Sequence, residues 1–329
     1  MRWKLLDHVK TFSLLGFMAL SACSPLPDSE ADAVARGLTP PLGQFLEVDG
    51  KRVHVHLAGP EDAPVVILLH GASGNLRDFT FDLVPRLAKN FRVVTFDRPG
   101  LGYSDSLHGR GESPTEQALH LARAADALDI KRAVIVGHSY GASVAMAWAL
   151  ERPDMAAAVV SLGGAVNPWP GGLGPWYAIT ASWLGGATVV PMIAAFTPKS
   201  VAGKSVTAIF EPNPVPDGYL DYIGADLTLR ASVLRANARQ VSGLKPYVTE
   251  MSPRYPTLDL PVEILHGALD DTVPLSIHSE PLSRAIPGAN LVILDGVGHM
   301  PQHARPQQTV AAISRAVRRA GLRDTAHSR

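Results

Sequence analysis

The pentad Gly137-His138-Ser139-Tyr140-Gly141 sits between the apolar run AVIV and the helix-like segment SYGASVAMAWALERP, and no other feature restricts the folding of the chain so tightly. A strand that turns abruptly into a helix forces the corner residue into a strained backbone conformation and projects its side chain. Side chains at the flanking positions would collide with neighbouring backbone, so glycine is needed there. The helix that follows turns its positive end toward negative charge developing at the corner. Together these demands make Ser139 a candidate nucleophile.

The runs PVVILLHG, RVVTFDRPG, AVIVGHS, AAAVVSLGG, PVEILHG and LVILDG are short, apolar and rich in β-formers. Near-continuous apolar runs suit strands buried on both faces of a parallel sheet. Between them lie an amphipathic segment from Leu76 to Leu87, a helical period from Pro114 to Leu128, and a final helix from about Gln307 to Ala320. Ahead of them, QFLEVDGKRVHVHLAG reads as two extended runs joined at Asp49-Gly50, a hairpin signal. This alternation predicts an α/β fold with a mostly parallel, doubly wound, eight-stranded sheet and an antiparallel hairpin at its start. The rhythm stops after Val166, the sixth strand, and resumes at PVEILHG. The roughly ninety residues between are too many for a plain connection and predict an inserted helical subdomain. The expected layout is a core in two parts, 44–166 and 261–329, with the insertion at 167–260.

A serine hydroxyl attacks poorly until a base takes its proton. Among twelve histidines, His299 lies in Gly296-Val297-Gly298-His299-Met300, a loop directly after the last strand. Loops at the carboxyl ends of parallel strands share one edge of the sheet with the Ser139 turn. His266 falls within a strand, His54 and His56 lie on the early hairpin, and His303 stands one helical turn beyond His299, where it orients or covers the loop. A carboxylate is expected at the same edge, and LHGALDDTVP offers Asp270 and Asp271. No acidic residue follows AAAVVSLGG until Glu211, which removes the other strand end as a source. Asp270 is the choice, because Asp271 suits a cap for the turn leading to Pro274.

Composition removes several alternatives. Thirty basic residues balance thirty acidic ones in a chain of 329, and no long basic block points to nucleic acid. Cys23 is the single cysteine, so neither an intramolecular disulfide nor a cysteine metal cluster is available. Arg2, Lys4 and Lys10, the apolar run Phe12 to Leu20, and Leu20-Ser21-Ala22-Cys23 describe a secretory signal over residues 1–22. About a dozen mainly apolar residues are too few to cross a ~30 Å hydrocarbon core. The LSAC tetrad resembles the lipobox of bacterial lipoproteins, which implies acylation of Cys23 and a membrane-held chain. Residues 23–43, rich in proline and small polar residues, read as a tether. Ser24 is unlike the aspartate that retains such proteins at the inner membrane, so the expected setting is the cell envelope, at the outer membrane and facing the periplasm.

The pentad, LLHGASG, FDRPGLGYSD, GALDDTVP and GVGHMPQHARP occur in the order seen in the α/β-hydrolase superfamily, which the chain resembles from about residue 44 to its end. The resemblance implies an oxyanion hole made by the backbone N–H groups of Ala72 and Tyr140. It implies structural roles for His70, Asp97 and Arg98 as residues that pin loops, and it makes the insertion a lid. No metal or organic cofactor is implied. From Met155 through Pro198 there is no charged residue, and this span holds Trp169, Trp176 and Trp183. Part of that apolarity serves the insertion's own core, and the rest suggests an apolar substrate pocket. Trp169 and Trp176 are therefore candidate substrate contacts, and Ser73, in the loop after His70-Gly71, is a third.

These readings converge on a serine hydrolase acting through an acyl-enzyme, with a small apolar carboxylic ester as the favoured substrate. Carbon–carbon bond hydrolases, lactonases, aminopeptidases and cofactor-free haloperoxidases share the same constellation. A non-catalytic envelope binding protein is the rival from another class.

Overall fold

Alternation of side chains along each central strand splits the core in two. In β3 (Val65–Leu69), Ile67 and Leu69 face one apolar layer, while Val66 and Leu68 face the other. β5 (Ala133–His138) repeats this, with Ile135 on the first side and Val134 and Val136 on the second. A strand reads as a continuous apolar run when both of its faces need cover. The computed structural model describes residues 39–322, and the signal segment and Cys23 lie outside them.

The sheet has eight strands in the order β1-β2-β4-β3-β5-β6-β7-β8. β1 (Gln44–Val48) and β2 (Lys51–Ala58) form the hairpin, with Val48 opposite Lys51 and both Asp49 and Gly50 at positive φ. That turn geometry matches the twist of the flanking strands. β2 pairs antiparallel with β4 (Arg92–Phe96). From β4 onward, through β6 (Ala156–Leu162), β7 (Val262–Gly267) and β8 (Asn290–Leu294), every pair is parallel.

Helices cover both faces. α1 (Arg77–Thr80) and α2 (Leu83–Leu87) occupy the amphipathic stretch expected near 76–87, broken into two short helices. α3 (Pro114–Ala127) begins at Ser113, whose hydroxyl accepts from the Glu116 amide while the Glu116 carboxylate accepts from the Ser113 amide. This reciprocal cap satisfies two N–H groups that a helix start leaves unpaired. α4 (Tyr140–Glu151) is buried on every side from Tyr140 to Ala149, as expected of a helix apolar all round. The last helix spans Pro306–Arg319 and lays Ala312, Ile313, Ala316 and Val317 on the second layer beside α2.

Between β6 and β7 the chain forms helices only. They are α5 (Pro175–Ala181), α6 (Trp183–Phe196), α7 (Lys199–Phe210), α8 (Tyr219–Tyr222), α9 (Ala225–Leu229) and α10 (Ala231–Met251), closed by a 3-10 turn at Ser252–Thr257. After β7 come α11 (Ser279–Ala285), β8, α12 (Pro301–Ala304) and the last helix, α13.

The tether expected over 23–43 ends earlier than its composition suggests. The Thr39 amide and hydroxyl donate to Asp226 at 2.9 and 2.6 Å, and Arg77 donates to the Pro40 carbonyl at 2.6 Å. Proline-rich composition marks a segment without regular structure, yet Thr39 has its partner in the insertion and Pro40 has one in α1.

Candidate active site

β5 ends at His138, and Ser139 takes φ 53°, ψ −119° before α4 begins. A non-glycine residue at positive φ carries strain of order 1–3 kcal/mol and persists only where its surroundings hold it. Here the Ser139 amide donates to the Leu162 carbonyl, and its own carbonyl accepts from Ala142 and Ala165. The flanking glycines are required by close packing. A side chain at Gly137 would strike the Gly141 carbonyl, and one at Gly141 would strike the Leu69 carbonyl.

The loops after β7 and β8 meet beside this turn. His299 Nδ1 lies 2.7 Å from Asp270 Oδ2, and both side chains are buried. Asp270 Oδ1 accepts from the amides of Thr272 and Val273 at 3.0 and 2.8 Å, and His266 Nε2 lies 3.2 Å from Oδ2. Burial by itself would raise the Asp270 pKa. Hydrogen bonds from His266, His299 and the Val273 amide outweigh it and hold the carboxyl well below the usual carboxylate range. Asp271, the alternative, is exposed. Gly163, at the end of β6, sits where a side chain would lie 3.4 Å from Asp270 Oδ2 and 3.5 Å from His299 Nδ1.

The loop after β3 approaches from the other side. A side chain at Gly71 would come 3.1 Å from Ser139 Cβ. His70 Nδ1 donates to the Gly71 carbonyl at 2.9 Å, and its Nε2 accepts the Arg98 amide at 3.0 Å, which assigns His70 to support of the loop. Buried Arg98 donates from Nε to the His70 carbonyl at 2.8 Å and from Nη2 to the Gly71 carbonyl at 3.0 Å. The Gly71 carbonyl and the Ala72 N–H belong to one planar trans peptide and point in opposite directions. Arg98 and His70 therefore fix the direction of the candidate oxyanion donor at Ala72. Arg98 is held in turn by Gln117 and Gln240 and lies 4.4 Å over the Tyr140 ring, so one guanidinium ties the Ala72 loop to the helix that supplies the Tyr140 amide. Asp97 accepts from His54, Leu76 and Tyr103, which pins the neighbouring loop.

Several contacts have no counterpart in the sequence reading. His138, inside the pentad, donates from Nε2 to the His299 carbonyl at 2.9 Å and so holds the loop carrying the candidate base. Behind it, Asp78 Oδ1 accepts from Tyr219 and His303, each at 2.7 Å. His303 thus serves a carboxylate beneath the site. From the insertion, Asn213 receives the Gly298 amide and donates to the Gly296 carbonyl, both at 2.9 Å, bracketing the His299 loop.

Ser73 has a role that the sequence did not suggest. Its amide donates to Asn237 Oδ1 at 2.6 Å, its hydroxyl accepts from Asn237 Nδ2 at 2.9 Å, and its carbonyl accepts from Thr228. All three of its polar groups tie the loop to the insertion, which makes it a brace, while the hydroxyl keeps its own hydrogen to donate. Trp169 is partly buried against the first core layer, with its ring 6.1 Å from His278. Trp176 is 55% exposed on α5, where an enclosed pocket was expected. Among the described residues no group of three or more His, Cys, Asp or Glu is placed to hold a metal ion.

The buried histidines predict how stability responds to acid. Burial first, then the Arg98 charge, lowers the His70 pKa from 6.5 to about 4, and burial followed by His299 does the same to His138. Unfolding returns both to ordinary values, so the unfolded chain binds more protons between those limits. Their contribution is complete above about pH 6.5 and is lost as pH falls toward 4, at most about 3 kcal/mol for each. Asp270, shifted downward, is lost only below the usual carboxylate range. Urea unfolding should therefore show stability falling between pH 7 and 4.5, with a shallower slope in His138→Gln. A flat profile would contradict the burial of neutral histidines.

Residues 66–313, well over half of the chain, match the model of the alpha/beta hydrolase family, and the chain belongs to that family of hydrolases. An uncharacterized protein of Mycobacterium tuberculosis is 28% identical over 290 residues, covering 85% of this chain and 82% of the relative. A 2-hydroxy-6-oxononadienedioate/2-hydroxy-6-oxononatrienedioate hydrolase of Cupriavidus pinatubonensis is 25% identical over 259 residues, covering 77% of this chain and 87% of its own. Among solved structures, a membrane phospholipase A shares the fold with a TM-score of 0.68 at 20% identity, covering 96% of each chain.

Proposed function

We propose that the chain is a serine hydrolase that works through an acyl-enzyme, with an apolar carboxylic ester as its substrate. The observation that carries this reading is the strained Ser139 turn set at the same sheet edge as the bonded His299–Asp270 pair. His299 Nε2 takes the Ser139 proton as Oγ attacks the ester carbonyl, and Asp270 keeps the other ring nitrogen protonated. The N–H groups of Ala72 and Tyr140 receive the oxyanion, each worth about 3 kcal/mol of barrier in comparable sites. His299 then protonates the leaving alkoxide, and water, deprotonated by the same base, releases the acid. The uncharged span Met155–Pro198 supports an apolar substrate. The LSAC tetrad supports acylation at Cys23, and Ser24 after it supports a periplasm-facing outer-membrane position.

Similarity to dienedioate hydrolases favours a second reading, cleavage of a carbon–carbon bond next to a ketone. One panel separates the two. Purified chain should be labelled at Ser139 by a fluorophosphonate and should hydrolyse p-nitrophenyl esters, with kcat/KM rising from acetate to longer chains. Labelling without ester turnover, together with cleavage of a 2-hydroxy-6-oxo-dienoate, would replace the first reading with the second. A folded chain that never labels defeats both.

A further inference from the structure

Helices α5 and α6 carry an unusual surface. Trp183 is 82% exposed, Leu184 63%, Phe196 57%, Trp176 55%, and Ile179 and Met192 49% each. Soluble chains scatter single apolar residues over their surfaces, whereas a contiguous set marks an interface. Neither helix contributes a charged residue of its own, since none occurs from Met155 through Pro198, and Arg235 of α10 reaches α6 at the Gly186 carbonyl, where Gly186 is buried. No single described helix is long and apolar enough to cross a membrane. α5 and α6 together meet the length and composition, but they bend by 102° at their junction. A bent pair of this kind can lie in an interface with its side chains immersed without spanning the bilayer.

What covers the surface is indicated by where the described chain begins. Thr39 is hydrogen-bonded to Asp226 of α9 and borders a cavity lined by Gly203 and Lys204 of α7, the helix that directly follows α6. The N-terminal segment therefore joins the fold at the insertion. Cys23 lies only sixteen residues before Thr39, a reach of at most ~55 Å even fully extended. An acylated Cys23 would hold the insertion close to one lipid leaflet and raise the effective concentration of the bilayer at α5 and α6. Tryptophans at such a surface suit the headgroup boundary, where one part of the ring is apolar and another wet.

We propose that the α5–α6 pair is a bilayer-docking surface. Its apolar side chains enter the interface of the leaflet that holds the N-terminal anchor, and docking presents the Ser139 site to long-chain acyl esters in that leaflet. Only this last clause rests on the ester-hydrolase reading.

The test uses the full chain in a Cys23→Ser background, which removes acylation, with phosphatidylethanolamine–phosphatidylglycerol vesicles bearing brominated acyl chains. Bromolipid should quench tryptophan emission, and Trp183→Phe should remove the largest share of the quenchable signal. Leu184→Ser with Phe196→Ser should weaken vesicle binding at least tenfold, with the thermal midpoint retained and turnover of a short soluble ester within twofold of the parent. Quenching unchanged by Trp183→Phe, or vesicle binding unchanged in the double variant, would overturn the proposal. Sedimentation showing dimers that the double variant abolishes, with no effect on vesicle binding, would assign the surface to a second copy of the chain and overturn it equally. Quenching needs no turnover, so a chain that docks but cleaves no ester leaves the docking surface standing and removes only the ester-hydrolase reading.

Discussion

If the chain hydrolyses esters as proposed, replacing Ser139 with alanine should abolish that turnover, a fall of roughly 10⁵- to 10⁶-fold in kcat, and should leave the fold in place. The size follows from the role. Without Oγ there is no acyl-enzyme, and the oxyanion donors can only assist direct attack by water. The fold survives because the backbone of the turn is held by Leu162, Ala142 and Ala165, none of which bonds the hydroxyl. Alanine at φ 53° is strained as serine is, so the thermal midpoint should stay within a degree or two. Ser139→Gly separates function from strain. It should be equally inactive yet more stable by about 1 kcal/mol, because glycine adopts positive φ without steric cost. Stopped assays on a p-nitrophenyl ester, paired with thermal melts, read both effects. Ester turnover above about one per cent in Ser139→Ala would remove Ser139 from the chemistry.

The parts of the fold and site that could be read from the chain are those written in local patterns. Apolar runs buried on both faces gave away the sheet, and glycines on either side of Ser139 marked a turn that steric exclusion imposes. His299 was legible because the loop after β8 must lie at the same edge as the turn after β5. Asp270 over Asp271 was only a preference, since adjacent carboxylates look alike until the loop curls Oδ1 onto the Thr272 and Val273 amides. What escaped comes from pairings across long sequence separations. Asn237 braces Ser73 from the insertion, Asn213 clamps the His299 loop, and Tyr219 and His303 meet on Asp78. No period or motif ties such partners together. The bracing of Ser73 by Asn237 was hidden for that reason. His138 stood inside the most informative motif, yet nothing in its spacing announces a bond to the His299 carbonyl. The exposure of Trp176 was equally hidden, because an apolar run in an insertion describes a core and a surface alike.

Asp270→Asn should lower kcat by roughly 10³- to 10⁴-fold, through the placement of hydrogens and not through lost packing. Asp270 accepts on all sides, from two amides at Oδ1 and from His299 and His266 at Oδ2. Asparagine offers one oxygen and one NH₂. If its oxygen keeps the Thr272 and Val273 amides, the NH₂ faces His299 Nδ1. That nitrogen must then become the acceptor, which moves the proton to Nε2 and blocks the atom needed as base. His266 sharpens the conflict. Its Nε2 lies 2.7 Å from the Val273 carbonyl and so carries hydrogen, which brings a second donor against the new NH₂. The opposite rotamer sets the NH₂ against two backbone amides. Either orientation leaves a buried donor unpaired at a cost of about 1–3 kcal/mol, so the melting temperature should fall together with the activity. Asp271→Asn, at an exposed position, should leave both within experimental scatter. The expected signature is a large fall in kcat with little change in KM, since the change acts on the base and not on the substrate pocket. An Asp270→Asn chain retaining more than a tenth of parental kcat would show that the bond to His299 orients nothing of consequence.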